Sequence, residues 1–309
     1  MNKKKLIIGT GVLAAYLSLQ LLKNKEKVIV TSRHKKNYKN FKYLRIENKV
    51  KFEKLNVKNK LEIKNIIKKY NPDKIYYFAG QSSLTKSLLM KKETFNSHFT
   101  GTKNFLDILK RYKIKCKFFK ANSGYIFKPN NGKINLNSKF SNNKHVYIQA
   151  QQKTYKIINH YRKFNLKLFN LVFLQVESPL RPNDFFIKKV CLGAKSKKKI
   201  TVGNIKNVRD YSWITEIIKA VIFTSSLKPN NFIISAGTKL SGEEVLKFAY
   251  KFNNLNYKEY FKTSKKFIRK DENNILIGSK MNTKYLEKKF NFKFKVVRKE
   301  LIRKIYNSL

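Results

Sequence analysis

Cysteine is almost missing from this chain of 309 residues: Cys116 and Cys191 stand alone and share no metal-ligand spacing. Two isolated cysteines build neither a disulfide framework nor a thiolate zinc site, and they suit a reducing, cytoplasmic compartment. Histidine is nearly as scarce, with four residues and no ligand-like cluster, so no metal site is expected. Acidic side chains number 18 against 70 lysines and arginines, a formal net charge of +52. No internal repeat and no low-complexity linker interrupts the chain, which excludes a solenoid or a tethered array.

What is present describes a packed protein. A hydrophobic share of 42% is too high for a disordered polycation, and the length allows one large domain or two modest ones. The positive field attracts any polyanion, including nucleic acid, anionic membrane surfaces and phosphorylated small molecules. Yet the basic residues run from end to end in company with asparagine, isoleucine, phenylalanine and tyrosine, all served by A/T-rich codons. A dedicated nucleic-acid groove would instead gather arginines into a stripe. The charge therefore reads as compositional, with no specific nucleic-acid partner expected. Arginine is rare, which makes each one informative.

The opening "MNKKKLIIGTGVLAAYLSLQLL" has the basic start and apolar run of a signal peptide. A different reading fits its internal order better. Residues 4–8 form a buried strand, "GTGVLA" a tight glycine turn, and 12–22 a helix with an apolar face, before "VIVTSR" supplies a second strand. On this reading the segment opens a nucleotide-binding domain, and no membrane insertion is expected.

Strand and helix patterns alternate through the first half, predicting a doubly wound parallel sheet of the α/β Rossmann type. "KLIIG", "KVIVTS", "KIYYFAG", "CKFFKANS" and "LKLFNLVFL" are strand candidates, with helices near 60–70, 94–112 and 147–163. The second half is less regular. The expected division is a Rossmann domain over 1–173 and a smaller α/β substrate lobe over 174–309, some of whose segments return to the first domain.

Gly9, Gly11 and Ala14 make GxGxxA between the first strand and helix. Glycine lets the backbone turn tightly and approach a pyrophosphate, which then rests on the helix N-terminus. Arg33 closes the second strand, where an arginine accommodates the 2′-phosphate of NADP; the alternative is one more surface cation.

Four segments then carry a family resemblance. "NPDKIYYFAGQSSLTKSLLMKKETFNSHFTGTKNFLDIL" resembles the stretch of extended short-chain dehydrogenases that holds a cofactor-contacting Ala-Ala-Gln-Ser. "LVFLQVESPLRPNDFFIKKV", "VGNIKNVRDYSWITEIIKAV" and "IRKDENNILIGS" resemble, in order, three motif segments of the GDP-mannose 4,6-dehydratases. Their residues include Arg181, Arg209 and Arg269, arginines retained in a chain that otherwise uses lysine. A planar guanidinium grips phosphate with two parallel hydrogen bonds, which lysine cannot copy.

The resemblance implies a division of roles. Gly9, Gly11, Arg33, Asn56, Gly80, Gln81, Ser82, Gln151 and Arg181 would line an NADP site, with Asn56 where an acidic residue usually stands near the adenine. Gln175, Glu177, Arg209, Arg269 and Glu272 would hold a GDP-hexose, the arginines on its diphosphate; an ordinary Glu177–Arg209 ion pair is the other reading. The family works as a homo-oligomer and makes deoxysugars by internal redox. Tyrosinate takes the C4 hydroxyl proton as hydride goes to NADP, a glutamate takes the C5 proton, water leaves C6, and hydride returns there. Tyr147 matches the tyrosine base and Ser123 the hydroxyl that bonds the C4 oxygen.

Three departures touch the catalytic positions. Gln151, in "HVYIQAQQK", stands where the family has the lysine that lowers the tyrosine pKa and holds the nicotinamide ribose. Lys153 does not substitute, because an offset of six residues lies about 120° away around a helix. Tyr125 occupies the place of the glutamate base, and an ordinary phenol, with a pKa of about 10, is a poor base near neutrality. Val176 replaces a histidine. The chain is therefore expected to be a modified nucleotide-sugar dehydratase. Its rivals are a relative that binds cofactor and sugar nucleotide without turnover and, from another class, a polyanion-binding protein.

Overall fold

The apolar runs of the first half become strands β1 (Lys4–Ile8), β2 (Lys27–Ser32), β3 (Lys51–Lys54), β4 (Lys74–Tyr77), β5 (Lys117–Ser123) and β6 (Lys167–Phe173), and Asn231–Ile234 adds β7. This is seen in a computed structural model that describes residues 4–34, 38–268 and 273–309. The strands form one sheet in the order β7-β6-β5-β4-β1-β2-β3. The pairs from β5 through β4, β1 and β2 to β3 are all parallel. Starting at β1 the chain winds outward to β3, then crosses back to β4 on the other side of β1. The order reverses between β1 and β4, and in open α/β sheets ligands bind beyond the carboxyl ends of the strands at such a point.

The intervening stretches form helices α1 (Val12–Lys23), α2 (Lys60–Tyr70), α3 (Gly101–Arg111) and α4 (Val146–Arg162), with shorter helical pieces between them. Local chemistry explains their limits. The Asn59 side chain accepts from the amides of Leu61 and Glu62 at the start of α2, and Asn71 ends it in the left-handed conformation at φ 42°. Ile63, Ile66 and Ile67 turn inward at helical spacing against Leu6, Ile75 and Phe118 of the sheet. Each such burial contributes about 1.5–3 kcal/mol.

One predicted helix differs. The pattern over 94–112 predicts a continuous α-helix, whereas the structure has Lys91–Phe95, a π-helical turn over Asn96–Thr100, and then α3. A Cβ at Gly101 would stand 2.2 Å from the Tyr77 hydroxyl and 2.8 Å from Val57, so glycine there lets α3 close onto β4. The wider turn just before it carries His98 into the interior.

The chain divides into two compact units. The first gathers the described residues of 1–126, 140–172 and 221–232, and the second those of 127–139, 173–220 and 233–309. In the second, a four-stranded sheet runs in the order Leu240–Ser241, Val208–Arg209, Ile275–Gly278, Lys133–Ile134. Helices Phe186–Lys195, Gly242–Lys251 and Arg298–Asn307 pack on one another. Ser241 and Glu244 form a reciprocal capping box at the start of the middle one. No helix of the described residues is long and apolar enough to cross a membrane.

Candidate functional site

In the first unit the turn after β1 has the form the glycines predict. Gly9 sits at φ 110°, where a Cβ would press on the backbone of Ala79 at 3.0 Å. Gly11 is the N-cap of α1 with extended backbone, and no side chain caps the helix. Among the described residues nothing beyond its chain neighbours lies within 4 Å of where its Cβ would be, so the first amides of α1 stay approachable.

Gly80, three residues past β4, has φ 136°, and a Cβ there would meet the His98 ring at 2.2 Å. His98 Nε2 donates to the carbonyl of Gln81 at 2.9 Å, fixing this loop, while its buried Nδ1 has no hydrogen-bond partner. Burial, and then the positive charge of Lys120, push the imidazole down to about 3, so it stays neutral. Gln81 turns its amide oxygen to the amide of Ser83, and Ser82 is exposed beside it.

Ser123 ends β5 and Tyr147 lies in the first turn of α4, both buried. Ser123 Oγ accepts from the Tyr125 amide at 3.3 Å, which ties half-buried Tyr125 to the same turn. His145 caps α4 by accepting from the Tyr147 amide at 3.2 Å. Gln152 Nε2 donates to the carbonyls of Ile126 and Ser141 at 3.0 and 2.7 Å, locking α4 to the turn that follows β5. Thr154 Oγ1 donates to the His98 carbonyl at 3.1 Å, which fixes α4 against the π-helical turn. Gln151, one turn from Tyr147 on the same face, is 3% exposed, and its Oε1 has no partner.

Two further residues predicted for the cofactor engage the protein itself. Arg33, just past β2 and about half exposed, pairs with Glu93 at 2.6 Å. Asn56 accepts from the Lys58 amide at 3.1 Å, and its own amide donates to Glu62 at 2.7 Å, so it shapes the turn between β3 and α2.

In the second unit Gln175–Glu177 pairs in parallel with Tyr211–Trp213, setting Glu177 opposite Trp213. Glu177 is buried, and that burial pushes its carboxyl up to about 7 against the pull of Arg181. The guanidinium of Arg181 lies 3.5 Å from the centroid of the Phe185 ring. Arg209, also buried, donates from Nη1 to the carbonyls of Val208 at 2.8 Å and Asn274 at 3.0 Å.

Sequence reading missed Asp210. Its carboxylate accepts from the amides of Gly237 at 2.9 Å and Gly278 at 3.1 Å, pinning the strand Ile275–Gly278 to the neighbouring loop. It also missed a groove of about 700 Å³, lined by Lys189, Lys199, Lys262 and Lys266 with Thr201 and Phe267. Lys189 donates to the Thr201 carbonyl at 2.6 Å, with its ammonium 4.5 Å from the centre of the Phe267 ring. A Cβ at Gly203 would stand 2.5 Å from the Phe267 carbonyl oxygen, which accounts for that glycine. Arg269 and Glu272 lie outside the described residues.

Comparison with known proteins bears on the whole arrangement. The family model described as GDP-mannose 4,6 dehydratase matches residues 6–305. GDP-mannose 4,6 dehydratase 1 of Arabidopsis thaliana is 21% identical over 223 residues, 69% of this chain and 62% of that protein. The Dictyostelium discoideum GDP-mannose 4,6 dehydratase is 23% identical over 252 residues, 72% of this chain and 70% of its own length. The match to the Arabidopsis relative thus spans about three fifths of its length. Among solved structures, dTDP-glucose 4,6-dehydratase of Bacillus anthracis, in complex with NAD, superposes with a TM-score of 0.84 at 15% identity, covering 99% of this chain and 96% of that one. UDP-glucose 4-epimerase of Thermotoga maritima, with UDP-glucose, gives 0.82 at 16%, covering 99% and 98%. With the family model matched from the first strand to the last helix, this chain belongs to the GDP-mannose 4,6 dehydratase family.

Proposed function

We propose that this chain is a nucleotide-sugar 4,6-dehydratase that converts a GDP-hexose, GDP-mannose first among them, to its 4-keto-6-deoxy form with NADP as cofactor. The observation that carries the reading is the joint placement of Ser123 and Tyr147. Both are buried at the end of β5 and the start of α4, in the unit whose glycine turn lies at the reversal of strand order.

The residues present fit a dinucleotide. Gly11 carries no Cβ, and no side chain occupies the capping position of α1, so the helix amides and the positive end of its dipole suit a pyrophosphate. Gly80, Gln81 and Ser82 would hold the nicotinamide half, and Arg33 the 2′-phosphate. When bound, the cofactor supplies a reversible hydride acceptor.

The remaining work falls to side chains. Tyr147 takes the proton of the sugar C4 hydroxyl at its phenol oxygen, while Ser123 Oγ orients that hydroxyl. Gln151 presents a neutral amide where a charged donor would grip harder. Tyr125 stands in the position from which the C5 proton is removed. In the second unit, Arg209 would supply positive charge for the diphosphate. Glu177, held partly protonated by burial, can donate to a sugar hydroxyl as well as accept from one.

A second reading, a sugar-nucleotide-binding relative without turnover, is favoured by Gln151 and Tyr125 alone. Incubating the purified protein with NADP and GDP-mannose separates the two. A 4-keto-6-deoxy product that Tyr147→Phe abolishes supports the enzyme. Binding of both ligands with no product supports the second reading.

A further inference from the structure

At the amino ends of its strands, opposite the end that carries the glycine turn, the first unit holds a row of lysines. In the parallel register Lys5 of β1 stands beside Lys74 of β4, and Lys74 beside Lys117 of β5. Two residues further along, Tyr76 stacks on Phe119 with ring centres 4.7 Å apart, and Phe119 on Phe169 of β6 at 4.4 Å. Side chains two apart on a strand share a face, so Lys74, Lys117 and Lys167 project together beside this aromatic stack. Neighbouring strands lie about 4.8 Å apart, so the fold sets like charges side by side. A pocket of about 400 Å³ opens there, lined by these four lysines with Lys115, Cys116 and Asp73.

The acids nearby are already engaged. Glu26 and Asp73 both pair with the buried Lys5, at 2.5 and 2.8 Å. Among the described residues, no carboxylate lies within ion-pair distance of Lys74, Lys115, Lys117 or Lys167. Lys74 donates to the Ser225 hydroxyl at 3.0 Å and Lys117 to the Ser225 carbonyl at 2.7 Å. The two ammonium groups thus converge on one neutral residue. Each carries three N–H donors and spends one there, which fixes its direction and leaves its charge uncompensated. Tyr76, fully buried on the same face, turns its hydroxyl toward Ser225 without a hydrogen bond of good geometry.

We propose that this pocket binds a compact phosphate-chain anion, such as pyrophosphate, through Lys74 and Lys117, with Lys115 and Lys167 at its mouth. Cys116 is the one apolar side chain of the lining, so the pocket suits a small, highly charged ligand better than a base or a sugar ring. Several ammonium groups on one face can grip several phosphate oxygens with charge-assisted hydrogen bonds. The chain is either free or the tail of a nucleotide, and the lysines read the same oxygens in both. The proposal does not depend on the dehydratase reading, since the pocket lies at the other end of the strands from the glycine turn.

The test is calorimetric titration of the full chain with pyrophosphate at fixed ionic strength, because a net charge of +52 attracts every polyanion. Lys74→Gln and Lys117→Gln, which keep a donor for Ser225, should each weaken binding about tenfold or more, as loss of a charge-assisted contact does. Lys288→Gln with Lys289→Gln, an exposed pair in the helix Lys284–Phe290, should leave it unchanged. A footprint on the unaltered chain guards against a variant that folds poorly. Pyrophosphate should protect Lys74, Lys115, Lys117 and Lys167 from acetic anhydride and spare Lys288 and Lys289, as mass spectrometry would read. Tripolyphosphate and ATP then identify the source. Equal affinities assign a free chain, and tighter ATP binding that both pocket variants weaken assigns a nucleotide. Absence of binding, binding that both pocket variants leave unchanged, or protection spread evenly over the exposed lysines overturns the proposal.

Discussion

His98 stands edge-on to Tyr147, with ring centres 5.4 Å apart and 89° between the planes. His98 therefore touches the proposed base and the Gly80–Gln81 loop with its ring, and α4 through its backbone carbonyl, which accepts from Thr154. The close fit of Gly80 against that ring makes the arrangement testable. Gly80→Ala would place a methyl group 2.2 Å from the imidazole at a φ of 136°, so both clash and backbone strain oppose it. Strain of this kind costs on the order of 1–3 kcal/mol. A lower melting temperature and weaker cofactor binding are expected. Gly80→Ala with His98→Ala should recover the steric part of the loss and leave the strain, as paired melts would read.

Arg33 should decide between the two nicotinamide cofactors. NADP(H) is expected to bind more tightly than NAD(H), and Arg33→Ala should weaken NADP by roughly ten- to a hundredfold, the range of a charge-assisted contact, with little effect on NAD. Its pairing with Glu93 is too exposed for its loss to lower the melting temperature noticeably. Calorimetric titration of both cofactors measures the difference. Equal losses would return Arg33 to the class of surface cations.

Glu177 ties stability to pH. Its carboxyl is raised by burial from 4.5 to about 7. Below about pH 4.5 folded and unfolded chains both hold the proton, and the group does not separate them. Between 4.5 and 7 the unfolded chain ionises first, so the folded state loses relative stability, by on the order of 3 kcal/mol once pH exceeds 7. Glu177→Gln should melt higher than the parent at about pH 8 and equal to it at about pH 4. A difference that does not grow across that window would place Glu177 in a more polar setting than its burial implies.

The sheet was legible because strand and helix periods differ and glycine marks the turn after β1. The placing of Tyr147 and Gln151 on one helix face follows from their spacing of four, whereas the roles proposed for them come from the family resemblance. His98 and Lys120 were not legible. Each is defined by contacts distant in sequence, and in a chain so rich in lysine another lysine carries no signal by type. Position held the clue: Lys120 follows Phe118 by two residues, so both project from one face of β5, and Phe118 is fully buried. The π-helical turn that carries His98 inward leaves the apolar pattern of a plain helix, so nothing in residues 94–112 announced it. Asp210 was hidden differently, as its partners are backbone amides that no residue type reveals.

Tyr125 offers the last prediction. Its backbone is fixed by the Ser123 hydroxyl, so a replacement side chain starts from the same point. Tyr125→Glu should put a carboxylate where the C5 proton leaves, and a carboxylate is deprotonated at neutral pH whereas an ordinary phenol is not. If removal of that proton limits the reaction, dehydration of GDP-mannose should accelerate by the factor expected of a positioned base, about a hundredfold or more. NADPH release without product should not increase, since the first hydride step does not use this residue. Gln151→Lys should add a further gain, since it places an ammonium one helical turn from Tyr147 on the same face. Tyr147→Phe should silence every combination. Solvent deuterium incorporation at C5, followed by mass spectrometry, isolates the step: it should rise in Tyr125→Glu and vanish with Tyr147→Phe. Faster turnover without faster exchange at C5 would assign Tyr125 to substrate positioning and not to proton transfer.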